Sequence, residues 1–170
     1  MTDYLGSTQL GKKSKYIDTY MPSLLFPILR QGKREELKIV EGELPFVGVD
    51  RWTAYELSWL TIKGKPEVAV IEFIFDCRSR YIIESKSFKL YLNSFNNSKF
   101  SSVDEVLSLL EKDLSMASKR PCEVKLLLES ELIPAVIQPL KGVCLDELDV
   151  VCNEYTVNRK LLAIESNEKV

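Results

Sequence analysis

The sequence contains no histidine at all. A Ser–His–Asp or Cys–His arrangement therefore cannot form within this chain, and a histidine-ligated metal is excluded as well. Cysteine is sparse too: the four cysteines are widely spaced and include no C-x-x-C pair, so we expect no metal site. Any chemistry must come from carboxylates, lysines, thiols or a bound cofactor.

Long apolar runs and a strong excess of one charge are also missing. No apolar stretch approaches the roughly 20 residues that cross a membrane, and the N-terminus lacks the apolar core of a signal peptide. The formal charge of -2 is nearly balanced, which does not favour a polyanion as a partner. We therefore expect a reduced, cytoplasmic protein that binds neither nucleic acid nor a membrane.

Glycine-rich phosphate loops are absent as well. Neither G-x-G-x-x-G nor G-x-x-x-x-G-K-[ST] occurs, so a nicotinamide cofactor would not be held in a Rossmann crevice. What remains is Ser85-Lys86-Ser87 at a predicted helix start, where unpaired backbone N–H groups favour an anion. Lys86 and Lys89 would add two ammonium groups one turn apart. Alternatively, both lysines are solvated surface residues and Ser85 is a plain N-cap. The residues alone favour this alternative, because amphipathic helices usually have a charged, solvated face.

Glu84, just before this helix, also has two interpretations. Its carboxylate could accept two parallel N–H bonds from a guanine-like edge. It could instead be an acid near the first turn that complements the helix dipole, and the residues alone favour this second interpretation.

The four thiols are Cys77, Cys122, Cys144 and Cys152. Two arginines follow Cys77 closely, which makes it the best candidate for a reactive thiol. Acidic residues surround Cys144 and Cys152, and a negative neighbourhood disfavours a thiolate. We expect all four to be buried and inert.

The chain is predicted to comprise an irregular arm, residues 1–50, a module, residues 51–157, and a tail, residues 158–170. The module begins with WTAYELSWLTI and EVAVIEFIFD, and the KGKP turn between them predicts a β-hairpin. Five aromatic residues of the hairpin are expected to pack in the core and not to form a stacking platform. They are Trp52, Tyr55, Trp59, Phe73 and Phe75.

Two helices and two strands are predicted after the hairpin. Apolar residues recur at helical spacing over 88–95 and over 103–117, and Ser102 with Glu105 forms a capping box for the second helix. CEVKLLLES and a segment near Val150–Tyr155 are predicted strands. The order β-β-α-α-β-β predicts an α+β fold, an antiparallel sheet with two helices on one face. Its sheet edges invite pairing, so we expect an oligomer.

The stretch ESKSFKLYLNSFN resembles the E-[SL]-K-[SA]-h-K-[LY]-[YFW] signature of NADPH-dependent 7-cyano-7-deazaguanine reductases, the nitrile reductases of queuosine biosynthesis, a tRNA modification pathway. The signature covers Glu84 to Tyr91 without a departure. LGKKSKYIDTY, LPFVGVDRWTAYELSWLTIKGKPEVAV, SVDEVLSLLEKDLS and GVCLDELDV are similar to the N-terminal module of the two-module form of the family. The resemblance implies the tunnelling fold, whose module has the order β-β-α-α-β-β.

The resemblance also implies roles for individual residues. NADPH would be held by Ser85 and Lys86, with Lys89 as a further phosphate contact. Ile83, Glu84 and Ser85 would line the pocket for the substrate, 7-cyano-7-deazaguanine. Two successive hydrides from NADPH would then convert the nitrile to the aminomethyl product.

The family's chemical residues have no counterpart in these 170 residues. The resemblance implies that a nucleophilic cysteine, which forms a thioimide with the nitrile carbon, lies in a C-terminal module with an aspartate and a His–Glu pair. We therefore assign no catalytic residue here and expect a catalytic tunnelling-fold module to act in trans. The alternatives are a non-catalytic binding or assembly module, and catalysis through Cys77.

Overall fold

The computed structural model describes residues 17–128, 142 and 144–161. The chain divides into two compact units, Met1–Pro134 and Ala135–Val170. In the second unit, the described residues contain a 3-10 turn at Arg159–Leu161 and otherwise irregular backbone. No helix among the residues described is long and apolar enough to cross a membrane.

The first unit mixes strands and helices along the chain, and a 3-10 turn at Pro22–Leu24 precedes the first strand. The elements are β1 (Pro27–Leu29), α1 (Gln31–Glu36), β2 (Val49–Thr61), β3 (Pro66–Asp76), β4 (Tyr81–Ile83), α2 (Ser85–Asn93), β5 (Lys99–Phe100), α3 (Val103–Ser118) and β6 (Cys122–Leu127). The α+β class is confirmed. The predicted hairpin is β2 with β3, and the two predicted helices are α2 and α3.

Four strands form the main sheet in the order β5-β2-β3-β6, and β1 pairs separately with β4. The β2–β3, β3–β6 and β1–β4 pairs are antiparallel, whereas β5 runs parallel to the end of β2. The parallel contact is short, with Leu60 opposite Lys99 and Thr61 opposite Phe100. It departs from the predicted purely antiparallel sheet because β5, which follows α2, runs in the same direction as β2.

A β-bulge divides β2 into two halves with opposite phase. Between Ala54 and Leu57, two residues of β2 lie opposite one residue of β3. Trp52 and Ala54 therefore pack towards the helices before the bulge, and Leu57 and Trp59 do so after it. Tyr55, in the bulge, is 78% exposed, so its predicted place in the core is wrong. The other four aromatic residues of the hairpin do contact the core.

Both helices contribute to one hydrophobic core with the same face of the sheet. Ile71, Phe73 and Phe75 alternate along β3 and are buried together with Tyr91 of α2 and Leu110 of α3. The capping box of α3 is confirmed in part, because Ser102 Oγ accepts the Glu105 N–H at 3.2 Å. The Glu105 carboxylate instead accepts the Ser101 N–H at 2.7 Å.

The last predicted strand is absent. Residues Val150–Tyr155 are irregular, and Val151 and Tyr155 are 85% and 89% exposed. A strand needs a hydrogen-bonded neighbour, and the described residues of the second unit provide none. The strand before it is confirmed as β6, which pairs with β3 and thus does not form a second hairpin with the residues described.

Part of the predicted irregular arm is ordered along α2, and we call residues 20–26 the strap. Three backbone N–H groups of the strap donate to serine hydroxyls on α2 or just after it. They are Tyr20 N to Ser98 Oγ at 2.7 Å, Met21 N to Ser94 Oγ at 3.1 Å and Phe26 N to Ser87 Oγ at 3.0 Å. Because α1 and β1 follow within residues 27–36, the arm is less irregular than its prolines and glycines predict.

Candidate functional site

The helix that carries the signature begins immediately after Glu84. Glu84 has extended backbone and is the N-cap of α2. Its carboxylate accepts the Lys86 N–H at 2.9 Å through one oxygen and the Ser87 N–H at 2.7 Å through the other. The N-cap is therefore Glu84 and not Ser85.

This cap changes the electrostatics predicted for the helix start. The sequence predicted unpaired backbone N–H groups that would attract an external anion. That prediction is wrong for Lys86 and Ser87, because the Glu84 carboxylate already occupies their N–H groups. Glu84 is itself buried, with 6% of its surface exposed. An anionic ligand near this helix would consequently be held by side chains.

The predicted site residues differ in their accessibility. Ile83 and Glu84 are buried, Lys86 is half-buried, and Ser85 and Lys89 are exposed. Lys89 lies one turn beyond Ser85 on the same side of α2, and it forms no ion pair or side-chain hydrogen bond with any residue that the structure describes. Ser85 and Lys89 are therefore the two predicted residues most available to a ligand.

A cavity of about 380 Å³ lies between β2 and α2, and we call it the β2–α2 groove. Ser85 and Lys89 both line it. Its volume falls within the range of small-molecule sites, about 300–1,000 Å³. None of the other lining residues is positively charged, and Glu56 is the one carboxylate among them. They are Trp52, Thr53, Ala54, Glu56, Ser58, Phe88, Leu92, Asn93 and Asn96.

Two contacts fix the direction of the groove. At one end, Trp52 packs edge-on against Phe88 with ring centroids 5.4 Å apart, close to the start of α2. At the other end, the Ser58 hydroxyl donates to Asn96 Oδ1 at 3.0 Å, beyond the end of α2. The groove therefore runs along α2 from its capped start towards Asn96.

The opposite side of α2 is closed by a buried polar cluster. The hydroxyls of Tyr20 and Tyr91 both donate to Asp113 Oδ2, at 2.5 and 2.8 Å. Burial, followed by the hydrogen bond to Asp113, raises the pKa of each tyrosine well above its usual range. Asp113 is 8% exposed, so the cluster joins the strap, α2 and α3 in a low-dielectric setting.

The signature serine Ser87 joins the strap to α2, a structural role that sequence reasoning missed. Ser87 is fully buried; its hydroxyl accepts from the Phe26 N–H and donates to the Glu84 carbonyl at 2.7 Å. The Glu84 N–H in turn donates to the Phe26 carbonyl at 2.9 Å. The helical phase was a usable signal, because Ser87 and Ser94 lie seven residues apart and hence on one face.

The cysteines do not form a reactive site in the residues described. Cys77 and Cys122 are buried as predicted, but Cys144 and Cys152 are exposed, so that prediction is wrong for the latter two. Their segment is irregular and provides no core in which to bury them. Burial, with smaller contributions from Glu111 and Glu123, raises the pKa of the Cys122 thiol to about 12.

Each of the two arginines after Cys77 contacts another side chain. Arg78 donates to both carboxylate oxygens of Asp76 at 2.6–3.1 Å, and this pair holds the pKa of Asp76 well below its usual range. Arg80 lies over the ring of Tyr81. Both guanidinium groups therefore have partners other than the Cys77 thiol, and the thiol itself is buried.

A second, larger cavity contains none of the predicted site residues. It has a volume of about 670 Å³ and is lined mainly by α3, β6 and the end of β3, including Asp76, Glu111 and Cys122. Its charged lining consists of three carboxylates, Asp76, Glu111 and Glu123, and one lysine, Lys112, beside a thiol of raised pKa. This excess of acidic groups disfavours a phosphate, and the raised pKa disfavours a nucleophilic thiolate.

The structure thus defines an α+β module in which a glutamate-capped helix borders a groove of ligand size. Comparison with known proteins agrees with the signature on that helix. The family described as nitrile reductase, 7-cyano-7-deazaguanine-reductase N-terminal, matches residues 16–126. The chain therefore belongs to this nitrile reductase family.

Curated relatives match nearly the whole chain. It is 46% identical over 167 residues to the NADPH-dependent 7-cyano-7-deazaguanine reductase of Delftia acidovorans, which covers 95% of this chain and 59% of the relative. Proteins of the same name from Hydrogenovibrio crunogenus and Dechloromonas aromatica are 48% and 49% identical, covering 95% and 96% of this chain and 58% of each relative. The chain thus spans less than two thirds of the length of these relatives.

Proposed function

We propose that this chain is the cofactor-binding half of an enzyme that reduces 7-cyano-7-deazaguanine to 7-aminomethyl-7-deazaguanine with NADPH, in queuosine biosynthesis. The observation that carries the proposal is the family membership, in which the signature helix borders a groove large enough for part of a dinucleotide. The α+β order and the antiparallel β2–β3 hairpin are consistent with a tunnelling-fold module.

We assign the cofactor to Ser85, Lys86 and Lys89. Lysine ammonium groups and a serine hydroxyl suit phosphate oxygens, and Lys89 and Ser85 are accessible on one side of α2. The Glu84 cap makes the backbone a weak phosphate ligand, so these side chains must supply the attraction. When bound, NADPH would supply the hydride for each of two reductions, and two protons complete the conversion of the nitrile to an amine.

We assign the substrate to Ile83, Glu84 and Ser85. Direct contact falls to Ser85, because it is the exposed member of the three. Glu84 holds the segment in place through its two N–H contacts and its own N–H bond to Phe26. Its oxygens retain free lone pairs, so a guanine-like edge can share this carboxylate if the neighbouring module completes the pocket.

The nucleophile must come from a second, cysteine-bearing module. Covalent capture of the nitrile needs a thiolate held in a pocket, whereas Cys77 and Cys122 are buried and the Cys122 thiol has its pKa raised to about 12. Cys144 and Cys152 are exposed, but they lie on irregular backbone among acidic residues, which disfavour a thiolate. The two modules could assemble through a sheet edge. Among the residues described, β6 pairs with β3 on one side and has no strand on its other side. We expect analytical ultracentrifugation to show association of the two modules.

The proposal is tested by NADPH oxidation, followed by its near-ultraviolet absorbance, with 7-cyano-7-deazaguanine as substrate. We expect no turnover with this chain alone and substrate-dependent turnover once a cysteine-bearing module of the family is added. Lys86→Ala should then weaken NADPH binding roughly tenfold or more, as loss of a charged hydrogen bond does.

Other outcomes of this experiment have defined meanings. Turnover by the chain alone would contradict the division into two modules and would direct attention back to Cys77, where intact-mass analysis would find a covalent adduct. Absence of turnover with every module tried, together with retained assembly, would favour a non-catalytic binding or assembly module.

A further inference from the structure

The strand that leads into α2 is paired with a strand from the N-terminal part of the chain and not with the main sheet. β4 and β1 run antiparallel, with Pro27 opposite Ile83, and they form a separate two-stranded sheet. One position further, the Glu84 N–H donates to the Phe26 carbonyl at 2.9 Å. A two-stranded sheet is marginally stable by itself, so the hydrogen bonds at its ends matter. Residues 83–85, to which we assign the substrate, are therefore held in place by β1 and by the end of the strap.

Ser87 supplies a hydrogen bond that this ladder would otherwise lack. In an antiparallel hydrogen-bonded pair, two opposite residues exchange both N–H···O bonds. Phe26 and Glu84 exchange one of the two directly, whereas the Glu84 carbonyl accepts the Phe88 N–H at 2.9 Å in the first turn of α2. The Ser87 hydroxyl replaces the second bond, because it accepts the Phe26 N–H at 3.0 Å and donates to the Glu84 carbonyl at 2.7 Å. It thus bridges the strap and α2 at the point where strand becomes helix.

Glu84 is consequently held at each of its polar atoms. Its carboxylate oxygens accept the Lys86 and Ser87 N–H groups. Its own N–H donates to Phe26, and its carbonyl accepts from Ser87 and Phe88. A binding group works only when it is held within roughly 0.5 Å of its productive position. The position of this carboxylate therefore depends on the strap as well as on α2.

We propose that Ser87 is a positioning residue for 7-cyano-7-deazaguanine and acts through Glu84. This inference rests on the proposed function, in which Glu84 borders the substrate. The Ser87 hydroxyl fixes the Glu84 backbone against Phe26, and the fixed backbone presents the carboxylate to the N–H edge of the ligand. Because Ser87 is fully buried, it acts without contacting the ligand. The family signature allows alanine as well as serine at this position, so the bridge is additional to the chemistry that the signature encodes.

Ser94 provides a matched control, because its contacts have the same form. Its hydroxyl accepts the Met21 N–H of the strap at 3.1 Å and donates to the Tyr91 carbonyl at 2.6 Å. Like Ser87, it is fully buried. It lies seven residues after Ser87, which corresponds to roughly 10 Å along the helix axis, away from Glu84. Alanine at either position removes a strap hydrogen bond of the same kind, but only Ser87→Ala removes one that ends at Glu84.

The test uses this chain assembled with the cysteine-bearing module and follows NADPH oxidation while each substrate is varied separately. Ser87→Ala should raise the KM for 7-cyano-7-deazaguanine about tenfold and leave the KM for NADPH within about twofold, because only the first ligand meets the displaced carboxylate. Ser94→Ala should leave both KM values within about twofold, although it loses a comparable hydrogen bond. Thermal unfolding sets a temperature at which both variants are folded. An equal rise in the two variants, or no rise in Ser87→Ala, would overturn the positioning role.

Hydrogen exchange in the unaltered assembly is a second test that needs no variant. Saturating 7-cyano-7-deazaguanine should slow exchange of the Phe26 amide about threefold or more and leave the Met21 amide unchanged, because only the Phe26 bond leads to Glu84. Equal protection of both amides, or none at Phe26, would overturn the inference while the proposed function stands. An unaltered assembly that neither binds nor reduces the nitrile would overturn the proposed function, and the inference with it.

Discussion

The two sides of α2 differ in almost every physical respect. The side towards the strap places Ser87, Tyr91 and Ser94 in contact with residues 20–26 and α3, and all three are fully buried. The side towards the groove exposes Ser85 and Lys89. The same signature therefore supplies buried packing on one side and accessible polar groups on the other, and residue type alone does not distinguish them.

This difference arises from helical phase and from what each side faces. Residues 87, 91 and 94 recur at spacings of four and three, so they form one stripe, whereas 85 and 89 lie about half a turn away. On the buried side each polar group has a partner, because an unpaired group there would cost free energy. On the open side, water or a ligand can supply the partner.

The largest expected effect of breaking the buried side is at Tyr91. Tyr91→Ala removes a fully buried ring and one of the two hydroxyls bound to Asp113, so we expect the free energy of unfolding to fall by about 4 kcal/mol. Tyr91→Phe keeps the ring and should cost about 1 kcal/mol. Urea unfolding followed by circular dichroism measures both, and equal losses would contradict the importance of ring packing.

Two serines of the same helix provide the sharpest test of the comparison. Ser87→Ala leaves the Phe26 N–H without its acceptor and should lower the free energy of unfolding by about 2 kcal/mol. Ser85→Ala, two residues away but exposed, should change it by less than about 0.5 kcal/mol.

The cofactor response of the same two variants should be reversed. Ser85→Ala should weaken NADPH binding severalfold in the assembled enzyme, whereas the effect of Ser87→Ala should follow its loss of stability. Hydrogen exchange at the Phe26 amide gives an independent readout, since it should accelerate in Ser87→Ala alone. Unchanged exchange there would show that the strap does not depend on this hydroxyl.

A further test of the buried side is made at alkaline pH, with an effect that is small at pH 10 and grows above it. The pKa of Tyr91 is raised in the folded state, so the unfolded chain loses its proton first as pH rises beyond the usual value of 10.0. Stability from this group is therefore complete below pH 10 and falls above it, by about 1.4 kcal/mol per pH unit. Urea unfolding at pH 9, 10 and 11 measures the slope, which Tyr91→Phe should reduce relative to the unaltered chain.

Local sequence patterns predicted most of the module. The hairpin, both helices and the capping serine Ser102 were predictable because periodicity, turn residues and caps act over a few neighbouring positions. The failures have non-local causes. Tyr55 is exposed because a bulge shifts the phase of β2, and Val150–Tyr155 forms no strand because it lacks a pairing neighbour.

By itself, the sequence determined the class of fold, the position of α2 and the family signature, because each depends on residue order within short windows. Only the tertiary structure decided which signature residues are structural and which face the groove. Ser87 accepts a hydrogen bond from Phe26 in the strap, 61 residues earlier in the chain, and the Glu84 N–H donates to the carbonyl of the same residue. Contacts between distant segments decide such roles, since burial and hydrogen-bond partners are set by packing and not by local spacing.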